Sequence, residues 1–301
     1  MADLVFLSGD FCSGSTLLFT LFRETQEYYC LYEPLHPLLR EYLIWPLRTY
    51  EHHYFVKDYF KEFKGFDHID GLFHPDWATR NLYLTAEDQA EDLYRYVSYL
   101  IETASSRQSQ VLLKFNRMTF RLPWLRAKFP RAKIVHIHRD KASQWKSIVA
   151  RGQEYAGRED IGQNSPDFEG FNIATWCEDL KSAFPELAVE HSKTGFERFS
   201  KLYDRSLEAH RANADISIEY RALCKDFETQ CARMFEVVGC KTEVVRLKPL
   251  IIQPENQRRP VVQAAGFSAK VGYLIDRLGR KYAKVRVRQA DERRKKVSSF
   301  E

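Results

Sequence analysis

The chain has 301 residues, of which 44% are hydrophobic and 14% aromatic, so it can bury a full core and is not expected to be disordered. Its formal net charge is +5, but residues 277–301 contain ten Lys and Arg against three Asp and Glu, which leaves residues 1–276 at −2. The basic charge therefore belongs to the end of the chain. This distribution argues against nucleic acid or an anionic membrane as the partner.

The six cysteines form no CxxC pair and no Cys/His cluster with metal-ligand spacing, and the histidines show no HExxH pattern. We predict no metal site and a reduced, cytoplasmic setting. No run of roughly 18 apolar residues is present, so no transmembrane segment is predicted.

Predicted strands alternate with predicted helices along the chain. Apolar runs predict strands at 4–7, 111–115, 133–138 and 216–220. Helical periodicity follows them at 16–23, 122–128, 141–149 and 227–238. This alternation predicts an α/β fold with a mostly parallel sheet covered by helices on both faces.

The segments between these units differ in composition. We predict a single domain over residues 1–280 with an aromatic-rich, mostly helical insert at about 41–106. The polar, Gly-containing stretch at about 151–170 is predicted to be a mobile loop over a site, and the basic stretch 281–301 a flexible tail.

A glycine-containing turn joins the first predicted strand to the first predicted helix. In this position, loop amides and the helix dipole can hold phosphate. Gly9 and Gly14 have the spacing of an ATP-binding P-loop, but Ser15 stands where its lysine is required, which disfavours ATPase chemistry. The candidate ligands of a bound nucleotide are Phe11, Cys12, Ser13, Gly14, Ser15 and Thr16. The alternative is a turn that binds nothing.

A second candidate phosphate site follows the strand at 133–138. Arg139 comes directly after that strand, and Ser147 lies two turns along the next predicted helix. Because ligands of parallel α/β sheets bind at the carboxyl edge, Arg139 is expected to face the same crevice as the loop. Its guanidinium can bind phosphate in a bidentate manner. The alternative is a surface pair of Arg139 with Asp140 at a helix end.

The two segments together resemble the PAPS-dependent sulfotransferases, most closely their carbohydrate and bacterial branches. The loop is similar to the family's 5′-phosphosulfate loop, and Arg139 with Ser147 matches its 3′-phosphate pair. Lys114 with Arg117, and the segment 218–223, are also similar to these branches. The resemblance implies a P-loop-type sulfotransferase fold, PAPS as sulfuryl donor and PAP as product.

The sequence departs from the family pattern at Cys12, where these enzymes carry Lys or Arg, and at Lys141, where they carry proline. The family's cation stabilises charge on the bridging oxygen as sulfate departs. We expect Cys12 to stay protonated and another cation to take that role. Lys114 is the first candidate, with Arg117, Arg23 and Lys146 as alternatives.

The resemblance also indicates a general base. Glu33 lies in a Tyr-Glu-Pro segment whose glutamate deprotonates the acceptor in the related carbohydrate enzymes, and burial beside Tyr32 and Leu35 is expected to raise its pKa. His36 is the alternative base, and otherwise an ordinary turn or core histidine. Arg258 and Arg259 could reach the 3′-phosphate, as a basic loop does in some sulfotransferases, or lie on a solvated surface.

The sequence thus predicts an enzyme that transfers a sulfuryl group from PAPS to an acceptor hydroxyl. The acceptor could be a sugar, a lipid-like alcohol or another small molecule, and the oligomeric state is left open. Two alternatives are a small-molecule kinase, which needs Mg²⁺ and a loop lysine, and a nucleotide-binding protein that has lost turnover.

Overall fold

The computed structural model describes residues 3–44, 59–156 and 173–251. One sheet of five parallel strands lies at its centre, in the order β2-β3-β1-β4-β5. The strands are β1 (Asp3–Ser8), β2 (Tyr28–Tyr32), β3 (Gln110–Phe115), β4 (Lys133–His138) and β5 (Ile216–Glu219). The predicted α/β class with a parallel sheet is confirmed.

Helices cover both faces of the sheet, as the sequence predicts. In chain order they are α1 (Ser15–Thr25), α2 (Leu39–Ile44), α3 (Ile69–Leu72), α4 (Glu91–Ser105), α5 (Leu122–Lys128), α6 (Lys141–Ala156), α7 (Ile173–Leu180), α8 (Gly195–Asn213), α9 (Tyr220–Lys225) and α10 (Phe227–Val238). Short 3₁₀ turns occur at Lys61–Phe63, Pro75–Ala78, Thr119–Arg121, Pro185–Leu187, Val189–His191 and Val244–Leu250.

The strand interiors are mostly apolar because both faces of the sheet are buried. In β3, Leu113 packs in one core with α4 and α5, while Leu112 packs in a second core with α1 and α10. Both side chains are fully buried. A third apolar cluster lies among α6, α7 and α8, beside the loop that follows β1.

The strand order reverses next to β1. From β1 the chain crosses to β2 at one edge and returns through β3, whereas β4 and β5 lie on the other side of β1. The carboxyl edge at such a reversal leaves a crevice that ligands use. The loop after β1 and the residue after β4 therefore belong to one crevice.

The segments between the main units bear on several predictions. Of the predicted insert, the described part contains the end of α2, two 3₁₀ turns, α3 and α4, joined by irregular stretches. The structure contradicts the predicted start of the mobile loop at about residue 151, because residues 151–156 continue α6 as helix. The rest of that loop, Arg258, Arg259 and the tail 281–301 lie outside the described residues.

Two neighbouring positions of β3 test whether side chains pack tightly on both faces of the sheet. We expect Leu112→Ala and Leu113→Ala each to lower the free energy of unfolding by about 2–5 kcal/mol, because each removes a fully buried side chain. Val245→Ala, at a side chain that is 62% exposed, should change it by less than about 0.5 kcal/mol. Urea denaturation measures all three, and a loss at only one of the two leucines would contradict a sheet packed on both faces.

Candidate active site

The loop between β1 and α1 has a backbone that only certain residues can adopt. Gly14 has φ +102°, and a Cβ built on it would lie 2.3 Å from Cδ2 of Tyr220. A side chain at Gly14 would thus be strained and would also displace the Tyr220 ring. Glycine is required here for both reasons.

Cys12 has a left-handed φ of 62°, which is uncommon for a residue with a side chain. It packs against the third apolar cluster together with Phe11. The Phe11 ring lies 5.4 Å from the Trp176 ring, and the Phe11 carbonyl accepts a hydrogen bond of 2.9 Å from Nε2 of the buried Gln144 on α6. The thiol position is thus part of the apolar support of the loop.

Arg139 follows β4 at the same edge of the sheet. Its guanidinium carbon lies 5.0 Å from the centre of the Tyr220 ring, at the distance of a cation–π contact. Tyr220, at the start of α9, therefore lies against both Gly14 and Arg139. The two predicted phosphate sites are joined by one aromatic ring.

The beginning of α6 is fixed by Asp140, whose Oδ1 accepts a hydrogen bond of 2.9 Å from the Ser143 backbone amide. This is a normal N-terminal cap. Asp140 thus has the capping role that the alternative interpretation gave it, while Arg139 lies over Tyr220. Ser147 lies half-buried in the second turn of α6.

Glu33 comes directly after β2 and is 6% exposed. Its Oε1 accepts hydrogen bonds from Nζ of Lys114 at 2.7 Å and Nδ2 of Asn116 at 2.6 Å, and its Oε2 accepts one from Nη1 of Arg117 at 2.7 Å. Lys114 is fully buried and Arg117 is 4% exposed. The carboxylate is thus enclosed by two cations and an amide.

This environment decides the charge of Glu33. Burial raises the pKa of the carboxyl group, but the charges of Lys114 and Arg117, with a smaller effect from His36, outweigh burial and hold the pKa well below its usual range. The expected raised pKa was therefore wrong. Sequence reasoning counted the apolar neighbours of Glu33 and missed that both nearby cations bind its two oxygens.

The backbone of Glu33 is also unusual, with a left-handed φ of 42°. Such a conformation costs on the order of 1 kcal/mol for a residue other than glycine and persists only where its surroundings hold it. The Glu33 amide donates to the Lys114 carbonyl at 2.9 Å, and the Glu33 carbonyl accepts from the His36 amide at 2.9 Å. These bonds direct the carboxyl group towards β3 rather than solvent.

Two side-chain bonds connect this carboxylate region with the loop. Ser15 Oγ donates to Asn116 Oδ1 at 3.0 Å. Thr16 Oγ1 lies 3.2 Å from the hydroxyl of Tyr32, whose ring lies 4.3 Å from Nζ of Lys114. The loop and the carboxylate thus belong to one polar network.

A second polar network lies under the loop. Asp10 accepts hydrogen bonds from Oγ1 of Thr119 at 2.7 Å and from Oγ of Ser206 on α8. The same network includes His210, whose Nε2 lies 2.9 Å from Oγ of Ser8. The His210 ring stacks on His136 with ring centres 3.7 Å apart.

Burial is the main cause that lowers the pKa of both His136 and His210, although the nearby Asp10 carboxylate opposes it at His210. Both rings are therefore neutral near pH 7 and support the loop through hydrogen bonds and stacking.

His36 occupies a turn and packs among aromatic rings. Its Nδ1 accepts a hydrogen bond of 3.1 Å from the Leu38 amide, and its ring lies 4.9 Å from that of Tyr42. These contacts fit the alternative of a structural turn histidine better than that of a base.

The other candidate cations lie elsewhere. Arg23, near the end of α1, forms an ion pair of 2.7 Å with Glu62, and Lys146 is exposed on α6.

The structure thus brings the loop, Arg139, Glu33, Lys114 and Arg117 to one edge of the sheet. Sequence reasoning missed Asn116, Tyr220 and Asp10. Asn116 could have been found, since it lies two residues after Lys114 and alternate residues of a strand share a side. In the part of the chain that the structure describes, no cluster of His, Cys, Asp and Glu could hold a metal ion. No helix among those same residues has the length and apolar character needed to cross a membrane.

The sulfotransferase family model matches residues 4–243, so the chain belongs to the sulfotransferase family. This membership supports sulfuryl transfer as its general activity. A solved structure, the sulfotransferase STF9 from Mycobacterium avium, is similar with a TM-score of 0.43 and 16% identity, and the match covers 82% of this chain and 67% of that chain. No protein of curated function matches significantly.

The ion pairs of Glu33 predict a pH-dependent stability. Since its pKa in the folded protein is below the ordinary value of 4.5, the stabilisation is present above that pH and is lost as the pH falls below it. Near pH 7, Glu33→Gln should lower the free energy of unfolding by about 3–5 kcal/mol, because Lys114 and Arg117 lose their shared counter-charge. Urea denaturation across a pH series measures the difference, which should shrink in acid.

Two further variants control this experiment. Glu102→Gln, at an exposed position of α4, should have little effect at any pH. Adding Lys114→Met to Glu33→Gln should recover part of the loss, because it removes one unneutralised buried charge. A difference between the wild type and Glu33→Gln that does not vary with pH would contradict the assigned ion pairs.

Proposed function

We propose that this protein transfers the sulfuryl group of PAPS to an acceptor hydroxyl and releases PAP. The observation that carries the proposal is the arrangement at one sheet edge. The loop after β1 and Arg139 after β4 both contact Tyr220, while Asn116 links the same loop to the buried Glu33. The two proposed phosphate-binding elements thus adjoin the buried carboxylate of Glu33.

The donor would lie across the two elements. The amides of residues 11–16 and the N-terminus of α1 would hold the phosphosulfate, because that helix end carries a partial positive charge. Arg139 and Ser147 would bind the 3′-phosphate, and Arg258 and Arg259 could extend that contact. A bidentate arginine favours a nucleotide with this extra phosphate over one without it.

Glu33 is the proposed acceptor of the proton. It is ionised near pH 7, as the low pKa requires, and can therefore take a proton from the acceptor hydroxyl. In the reaction a bond forms between the acceptor oxygen and sulfur, and the bond between sulfur and the bridging oxygen breaks. The electron pair of the broken bond leaves on the phosphate of PAP.

Lys114 is the proposed substitute for the cation missing at Cys12. It lies on Glu33 and against the ring of Tyr32, whose hydroxyl reaches Thr16 of the loop. A shift of its ammonium towards the bridging oxygen would stabilise the leaving charge. The same shift would remove the largest charge that lowers the pKa of Glu33, which makes Glu33 a stronger base at that moment. The acceptor remains defined only as a hydroxyl compound.

Ligand-induced stabilisation tests the donor. We expect PAP to raise the melting temperature more than ATP with Mg²⁺ does, because only PAP carries the 3′-phosphate. Arg139→Ala should remove most of that difference, whereas Arg233→Ala, on the exposed side of α10, should retain it. Greater stabilisation by ATP, seen only with Mg²⁺, would favour the kinase alternative.

Turnover of PAPS tests the roles of Glu33 and Lys114. Glu33→Gln should lower turnover roughly a hundredfold, the usual contribution of a positioned base, and Lys114→Met by a similar factor as a lost charge stabiliser. His36→Asn and Cys12→Ser should be nearly neutral. Rates are compared per folded enzyme, checked by circular dichroism, and PAP affinity should be preserved in Glu33→Gln.

Three results would change the assignment. Full turnover in Glu33→Gln would exclude Glu33 as the base. Loss in Cys12→Ser beside full activity in Lys114→Met would transfer the essential role to the thiol. PAP binding without transfer to any class of hydroxyl acceptor would favour a binding protein that has lost turnover.

A further inference from the structure

Asn116 connects the candidate base to the loop through both ends of one amide. Its Nδ2 donates to Glu33 Oε1 at 2.6 Å, and its Oδ1 accepts from Ser15 Oγ at 3.0 Å. Ser15 is 4% exposed and Glu33 is 6% exposed. Asn116 between them is half-buried, and the two bonds form a short chain from the base to the first residue of α1.

The direction of these bonds follows from the charge of Glu33. An ionised carboxylate only accepts hydrogen bonds, so the amide must present its NH₂ group to Glu33. Its oxygen then faces Ser15, and the single hydroxyl proton of Ser15 is directed towards Asn116. While Glu33 is ionised, Ser15 cannot donate that proton to a ligand of the loop.

We propose that Asn116 is a positioning residue that makes the hydroxyl of Ser15 available to the donor when Glu33 becomes protonated. A protonated Glu33 can donate, so the Asn116 amide can turn over, accept from Glu33 and donate to Ser15. The Ser15 proton is then free to donate to the donor substrate. No covalent bond changes at Ser15 or Asn116, and the one transferred proton stays on Glu33. The inference rests on the proposed function.

This coupling gives Ser15 a selective effect on the transition state. A hydrogen bond that forms only as the acceptor proton reaches Glu33 stabilises the departing PAP and not the bound PAPS, which is the condition for raising kcat. The loop needs such a donor because Cys12 provides no charge. The groups that act on Glu33 from other positions are Lys114, Arg117 and His36.

A double-mutant cycle tests the coupling. Ser15→Ala and Asn116→Leu should each lower kcat about tenfold, and the double variant should lower it by the same factor. Ser15→Ala removes the hydroxyl, and Asn116→Leu leaves it free to donate equally before and after proton transfer, so neither variant favours the transition state. PAP affinity, measured by calorimetry, should rise up to about tenfold in Asn116→Leu, since Ser15 no longer donates to Asn116 and can donate to bound PAP without any proton transfer. A merely structural role would instead lower PAP affinity and raise KM.

Two variants make the cycle specific. Thr16→Val removes the neighbouring hydroxyl, which lies 3.2 Å from the hydroxyl of Tyr32. In the double variant of Thr16→Val with Asn116→Leu, the two fold-losses in kcat should therefore multiply. Asn116→Asp keeps the shape of the side chain but cannot donate to an ionised Glu33, and it should lose kcat like Asn116→Leu. Full kcat in Asn116→Asp would overturn the proposal even if Asn116→Leu fails to fold.

The results also separate this inference from the proposed function. If the fold-losses in kcat of Ser15→Ala and Asn116→Leu multiply in the double variant, while Glu33→Gln strongly lowers turnover, the coupling is overturned and Glu33 remains the base. Full turnover in Glu33→Gln would instead overturn the proposed function, on which the coupling depends.

Discussion

A carboxylate buried at the end of β2 can stay ionised only if cations are buried with it, and this requirement shapes the site. Lys114 lies at the end of the neighbouring strand β3 and Arg117 just after it, so the ion pairs also hold two parallel strands together at their carboxyl edge. The left-handed backbone of Glu33 directs its carboxyl group towards them. Local strain, strand pairing and the charge of the candidate base therefore depend on one another.

Much of the fold could be predicted because it follows from local patterns. The apolar runs predicted the strands β1, β3, β4 and β5, and the helical periodicities predicted the helices α1, α5, α6 and α10. The charge state of Glu33 could not be predicted in this way. It depends on contacts between residues more than eighty positions apart, and a sequence pattern reports neighbours along the chain rather than across the sheet.

Cys12 illustrates a different limit. The sequence shows that a cation is missing from the loop, but only packing shows what the residue does instead. It joins Phe11 against an apolar cluster formed by α6, α7 and α8, while the polar groups beneath the loop come from Asp10, Ser206 and His210. The loop is thus held by apolar contacts on one side and by hydrogen bonds on another, without a charged side chain at its usual place.

The contact between Gly14 and Tyr220 has a consequence for how this protein can evolve. Any side chain at Gly14 would push away the ring that Arg139 contacts, so one mutation would damage both halves of the proposed nucleotide site at once. A change of donor specificity by small steps at one phosphate would therefore disturb the other. Diversification of such a scaffold is therefore expected to spare Gly14, Tyr220 and Arg139.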